Sequence, residues 1–132
     1  MIVGIGTDIC DIRRIEKILD KYGARFKEKT FTKGEREYAD AQANPAASYA
    51  KRFAAKEAVA KALAGKNTGH LSWQDVEVVR NSSGRPKIKL HGGAKKRARS
   101  RIKSGHKYKV HISLSDDIPY AQAFAVLESR KK

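Results

Sequence analysis

Twelve residues near the middle of the chain, Arg52 to Leu63 (RFAAKEAVAKAL), restrict the fold more than any other stretch. On a 3.6-residue period Ala55, Ala58, Val59, Ala62 and Leu63 form one apolar stripe, and Phe53, Ala54 and Ala60 carry it around most of the circumference. A helix apolar on so many sides belongs inside a fold. Glu57 and Lys61 stand away from the stripe, one turn apart. They either face solvent, as an acid-then-base pair worth about 0.2–0.5 kcal/mol, or line a polar site within the fold.

The same helix extends toward the N-terminus. Asn44 and Pro45 read as N-cap and first helical residue, and Gly65 closes the far end. At about 20 residues it is roughly 30 Å long, enough to cross a small domain from edge to edge. Before it, Ile2, Val3 and Ile5 with Gly4 and Gly6 read as a short buried strand from Met1 to Thr7 that allows close backbone approach, with Asp8 at its end. Ile12, Ile15, Ile18, Leu19 and Tyr22 then share a helical face, capped by Asp11 and stopped by Gly23. Thr32 and Glu35 have the spacing of a capping box for a shorter helix.

After the central helix the periodicity changes. Lys66 to Ser72 reads as a loop, Val76 and Val78 as a strand, Asn81 to Gly84 as a turn, and Ile88 and Leu90 as the return strand. A basic helix follows Gly92 and Gly93 and ends near Gly105. The last hairpin pairs Tyr108 to Leu114 with Tyr120 to Glu128, with an apolar face and a face carrying His111 and Ser113. The expected class is α+β, antiparallel hairpins packed on the long helix.

At 132 residues the expectation is a single domain, residues 1–132. Lys and Arg total 29 against 14 Asp and Glu, a formal charge of +15, so polyanions or acidic proteins are attracted at low salt. The one cysteine, Cys10, excludes an internal disulfide and suits a reducing compartment. No apolar run approaches a membrane span, and the N-terminus lacks a secretory signal's basic flank and apolar block, so a cytoplasmic location is expected.

Five blocks in order, GIGTDICDIRRIE, FTKGERE, RFAAKEAVAKAL, GRP at Gly84 to Pro86 and VHISLSDD, resemble the short, trimeric holo-acyl-carrier-protein synthases, which are 4′-phosphopantetheinyl transferases. The resemblance spans nearly the whole chain. It implies the fold of that family and a transfer of phosphopantetheine from coenzyme A to a serine of an acyl carrier protein, in fatty acid biosynthesis, with release of adenosine 3′,5′-bisphosphate. It further implies a homotrimer with its active sites between subunits.

Carried over residue by residue, the resemblance implies that Asp8 and Glu57 hold a Mg²⁺ ion that also grips the coenzyme A diphosphate, a hard-cation site of oxygen donors. Lys61 would neutralise charge on the leaving oxygen. Arg52, His111 and Ser113 would lie near coenzyme A phosphates, and Gly84 and Pro86 would shape the turn against the adenine. Arg14, with Arg13, Lys17 and Lys21, would dock the acidic helix of the carrier protein. Read without the resemblance, Asp8 is a helix N-terminal acid, Arg52 a solvated helix-start arginine, and the basic helix an ordinary solvated face. The rival from another class is a small basic nucleic-acid-binding module, favoured by the run Lys95 to Lys103 and a pI near 10.1. Few aromatics interleave with that run, so nucleic acid is not the expected partner.

Overall fold

A computed structural model describes residues 1–65 and 71–132. Its elements in chain order are β1 (Ile2–Asp11), α1 (Ile12–Thr30), α2 (Lys33–Asp40), α3 (Pro45–Leu63), a short 3₁₀ turn (Trp73–Asp75), β2 (Val76–Arg80), β3 (Pro86–Leu90), α4 (Gly92–Ser100), β4 (His106–Asp117) and β5 (Tyr120–Lys131). Strands β1, β5 and β4 form one antiparallel sheet in that spatial order, and β2 and β3 form a separate hairpin. The class is α+β with antiparallel sheets, as the sequence implies. Most of the expected loop from Lys66 to Ser72 lies outside the described residues.

Helix α3 is the spine. Asn44 caps it by accepting from the Ala47 amide, and Pro45 occupies the first turn. Twelve of its residues are buried, including Ala54, Ala55, Ala58, Val59, Ala62 and Leu63. The narrow strip left open carries Phe53, Glu57, Ala60 and Lys61. The helix stops at Leu63, with Ala64 in an extended conformation as C-cap; the Ala64 amide bonds the Lys61 carbonyl. Termination therefore precedes Gly65.

The approach of β1 to α3 is set by glycine. A Cβ on Gly4 would overlap the Ala62 carbonyl oxygen, and one on Gly6 the Ala58 carbonyl oxygen. With no side chains between them, strand and helix meet backbone to backbone. On the other side of the sheet, Ile5, Ile9, Tyr120 and Phe124 remain exposed.

Five sequence expectations are corrected. Strand β1 is not buried: Ile2 and Ile5 are exposed at 61% and 58%, and only its glycine side meets α3. Strand β1 does not end at Thr7 but runs to Asp11, because residues 4–11 pair in register with β5; Asp8 is thus a mid-strand acid and not a helix-terminal one. Asp11 caps α1, as expected, accepting from the Arg13 amide. Gly23 does not end α1: at φ 46° and ψ −121° it kinks the chain, which resumes helix to Thr30. Tyr22 lies outside the apolar face, 51% exposed, with the Lys21 ammonium over its ring. Finally, α4 ends at Ser100, earlier than the Gly105 boundary. The capping box on α2 forms as read: Thr32 accepts from the Glu35 amide and the Glu35 carboxylate from the Thr32 amide.

Candidate active site

Where Gly6 lets β1 touch α3, Asp8 points to the same side of the sheet as Gly4 and Gly6, toward the helix, since strand side chains alternate. Glu57 and Lys61 stand on the open strip of that helix. Lys61 Nζ donates to the Thr7 carbonyl at 2.8 Å and reaches Asp8 Oδ1 at 3.4 Å. Burial pushes the Glu57 carboxyl up from its ordinary value, and the negative charge of Asp8 pushes it further, with Lys61 and Arg14 acting in the opposite sense. Two carboxylates and an ammonium thus converge from two elements, and the carboxylates repel each other.

That repulsion is a physical test of the metal reading. A site of like-charged oxygen donors, one of them partly desolvated, fits a hard divalent cation, which takes one or two carboxylates and completes its shell with phosphate and water. Among the described residues no group of three or more His, Cys, Asp and Glu gathers, so Asp8 and Glu57 are the donors on offer. The fit is to a cation shared with substrate, and not to a closed structural site.

Arg14, on the first turn of α1, extends its guanidinium over the Phe53 ring at 5.9 Å from the centroid, beside the open strip of α3. Phe53 in turn packs against Phe26 and Trp73. Lys17 and Lys21 are exposed on the same helix. Arg13 is engaged elsewhere, in a two-bond pair with the Asp11 carboxylate at 2.8 and 3.0 Å. The basic α1 face therefore borders the carboxylate pair, with an aromatic floor beside it.

The remaining candidates lie apart from that pair. A groove of about 710 Å³ separates β3 from β4, walled by Pro86, Lys87 and Ile88 on one side and by Lys107 to Leu114 on the other, with Arg85 and Arg130 at its rim. It contains Pro86, His111 and Ser113. His111 Nε2 sits 2.9 Å from Glu128 Oε1, and that contact holds the Glu128 carboxyl below its ordinary range. Gly84, at φ 82°, makes the turn that aims β3 at the groove, a conformation that favours glycine.

The register shows how the two groups are separated. Thr7 pairs with Phe124 and Phe124 with Ser113, while Asp8 pairs with Ala123 and Ala123 with Leu114. Paired residues share a face, so Asp8 looks toward α3 and Ser113 and His111 look the other way. Strands β1 and β4 are also the two edges of the sheet, about 10 Å apart at 4.7–4.9 Å per step.

Arg52 is neither solvated nor at the start of the helix. It is 2% exposed, bonded to Ser48 Oγ at 3.0 Å and stacked on the Tyr38 ring at 4.1 Å, with Arg80 over the same ring at 4.3 Å. Its Nε has no hydrogen-bond partner, and burial lowers its basicity. The stacking partners come from α2 and β2, which helix position alone does not disclose.

Sequence reading also missed the buried ion pair between Lys56 and Glu35, at 2.7 Å and with both side chains fully enclosed. The signal was available: on a helix apolar around most of its girth, the lysine between Ala55 and Glu57 has to be buried or paired. The groove cations Arg85, Lys87, Lys107, Lys109 and Arg130 were likewise not identified as a set.

Comparison with known proteins places this geometry. Residues 4–118 match the model of the 4′-phosphopantetheinyl transferase superfamily. The holo-[acyl-carrier-protein] synthase of Methylobacterium sp. strain 4-46 is 52% identical over 129 residues, covering 98% of this chain and 96% of the relative. Among solved structures, the enzyme of the same name from Neisseria meningitidis superimposes with a TM-score of 0.81 at 34% identity, covering 97% of this chain and 99% of that one. That of Bacillus anthracis, in complex with CoA (3′,5′-ADP), gives a TM-score of 0.75 at 37% identity and 98% coverage of both chains. The chain belongs to the 4′-phosphopantetheinyl transferase superfamily and, within it, to the holo-[acyl-carrier-protein] synthases, which are enzymes.

Proposed function

We propose that this enzyme moves the 4′-phosphopantetheine group of coenzyme A to a serine hydroxyl of an apo-acyl carrier protein in fatty acid synthesis, with Mg²⁺ bound by Asp8 and Glu57. The observation that carries the reading is the repelling carboxylate pair, held beside Lys61 by glycine contact between β1 and α3. In the transfer the serine oxygen bonds to the outer phosphorus of the diphosphate and the serine proton passes either to the Glu57 carboxylate or to a water beside it. The bond from that phosphorus to the bridging oxygen breaks, and adenosine 3′,5′-bisphosphate leaves with the electron pair.

The ion, when bound, supplies neutralisation of the diphosphate charge. Asp8 and Glu57 provide its oxygen ligands. Lys61, 55% exposed at the side chain and tethered to Thr7 and Asp8, is placed to exchange those contacts for the leaving oxygen, where a cation is worth most. His111, Ser113, Pro86 and the cations of the groove receive the nucleotide end, while Arg52, expected at a coenzyme A phosphate, is buried on Tyr38 and steadies the turn end of the hairpin, where Arg80 stacks on the same ring. The face of α1 carrying Arg14, Lys17 and Lys21 meets the acidic carrier protein, and complementary charge speeds that encounter.

Because Asp8 and the groove residues His111 and Ser113 face opposite sides of one sheet, a complete site requires the carboxylates of one subunit and the groove of another. A homotrimer supplies that arrangement. The reading takes residues 1–132 as one domain in the cytoplasm, and the cluster of buried residues around α3 supports the single domain; among the described residues no helix is long and apolar enough to cross a membrane.

The direct test incubates apo-carrier protein with this enzyme, coenzyme A and Mg²⁺ and follows intact mass. The expected result is the phosphopantetheine increment on the carrier, absent without Mg²⁺ and absent with Asp8→Ala or Glu57→Ala. An unmodified carrier with the native enzyme, or near-normal turnover by both variants, contradicts the reading.

A further inference from the structure

Helix α3 is fastened on two sides by different means. Toward β1 the fastening is backbone contact at Gly4 and Gly6, which seats Asp8 by Glu57. Toward the β2–β3 hairpin it is one lysine. Lys56 Nζ donates to Glu35 Oε1 at 2.7 Å, to the Trp73 carbonyl at 2.9 Å and to the Val76 carbonyl at 2.6 Å, so all three of its N–H bonds are used. Glu35 completes the network: Oε1 also accepts from the Thr32 amide and Oε2 from the Val78 amide, both at 2.9 Å.

The network therefore ties α2, α3, the Trp73 turn and β2 at one point. Val76, Val78 and Leu90 supply an apolar seat for the hairpin, but apolar contact has little directionality and tolerates sliding. Bonds to two specified carbonyls and one specified amide do not. Strand β3 hangs from β2 and forms one wall of the groove, while β4 forms the other, in the sheet on which α3 lies. The height of the hairpin over α3 thus sets the width of the groove.

We propose that the Lys56–Glu35 pair is a positioning device for the nucleotide end of the site, fixing the separation of the two groove walls and hence the affinity for coenzyme A, without acting in the chemical step. This rests on the reading of the groove as the coenzyme A site. Lys56 is adjacent in sequence to Glu57, yet its side chain points to the opposite task. The carboxylate pair is held by the glycine contact and does not depend on it.

The test compares Lys56→Met and Glu35→Gln with the native enzyme in KM for coenzyme A, kcat, Mg²⁺ half-saturation and Tm. The expected result is a KM for coenzyme A raised about tenfold or more, with kcat within about threefold and the Mg²⁺ dependence unmoved. Glu35→Gln keeps the shape but replaces one acceptor oxygen by an NH2 donor, so it loses part of the bonding to Lys56, Thr32 and Val78 along with the charge; the double variant Lys56→Met/Glu35→Gln leaves no buried charge unpaired and supplies a folded protein where either single variant fails to fold. A lowered Tm with unchanged KM, or Mg²⁺ dependence and kcat shifting as much as KM, overturns the proposal. His111→Ala and Lys87→Ala, measured alongside, separate the two levels: if they raise KM while neither pair variant does, the positioning role fails and the groove reading stands. If they leave KM unchanged, the groove reading itself fails.

Discussion

At the scale of single residues, the role proposed for Glu57 comes with a stability cost. Its carboxyl is raised by burial and by Asp8, so the folded chain holds that proton to higher pH than the unfolded chain does. Below the ordinary value of 4.5 both states are protonated and the residue is neutral to stability. As pH rises through the raised folded value, ionisation increasingly disfavours the native state. Glu57→Gln should therefore raise Tm in metal-free buffer at neutral pH, by a margin that shrinks as pH falls toward 4.5, while abolishing transfer; calorimetric melting across pH checks this. Equal Tm for both proteins at pH 7 contradicts the account of the pair. Asp8, Glu57 and Lys61 entered as candidates through the family resemblance, since spacing alone left Asp8 a helix N-terminal acid and Glu57 with Lys61 either a surface pair or part of a polar site. The burial of Arg52 was not legible in sequence, since it depends on Tyr38 and Arg80, which are remote in sequence and meet it only after folding.

Among the elements, the contact between β1 and α3 decides whether the acids meet. A methyl group at Gly6 collides with the Ala58 carbonyl, a backbone atom in the middle of a helix that has no room to retreat. Gly6→Ala should destabilise the fold by about 1–3 kcal/mol or more by overpacking, and should cost activity beyond the lost folded fraction because it parts Asp8 from Glu57. Denaturant unfolding with activity per folded molecule measures both; full specific activity in a folded Gly6→Ala protein counts against the contact. The caps of α1, α2 and α3 and the first hairpin were legible because Asp11, Thr32, Asn44 with Pro45, and Asn81 to Gly84 act locally, and the last hairpin because its residues alternate. The length of β1 and the continuation of α1 were not. Pairing with β5, more than a hundred residues away in sequence, extends the strand past Asp8, and Gly23 bends a helix whose second half finds its own burial through Phe26 and Thr30.

For the molecule as a whole, the sheet presents Ile5, Ile9 and Phe124 at 58%, 64% and 45% exposure on the face away from α3, beside His111 and Ser113. A contiguous apolar face of that kind marks an interaction surface, and covering it with another copy brings a second chain to the groove edge. With the proposed homotrimer held through this face, Phe124→Asp should give monomers in light scattering and lose transfer while melting as a folded protein; native and variant proteins of equal size would remove this face as the subunit contact. Such a face was invisible in the strand pattern, where alternating apolar residues on both sides of β1 and β5 do not say which side another copy covers. The basic excess was legible from composition, but its division between α1, the groove and α4 required the fold. The account turns on two acids sharing one ion. Calorimetric titration of Mg²⁺ into the coenzyme A-saturated assembly should show one site per chain that is weakened about a hundredfold or more by either Asp8→Asn or Glu57→Gln; binding of native strength in both variants would contradict it.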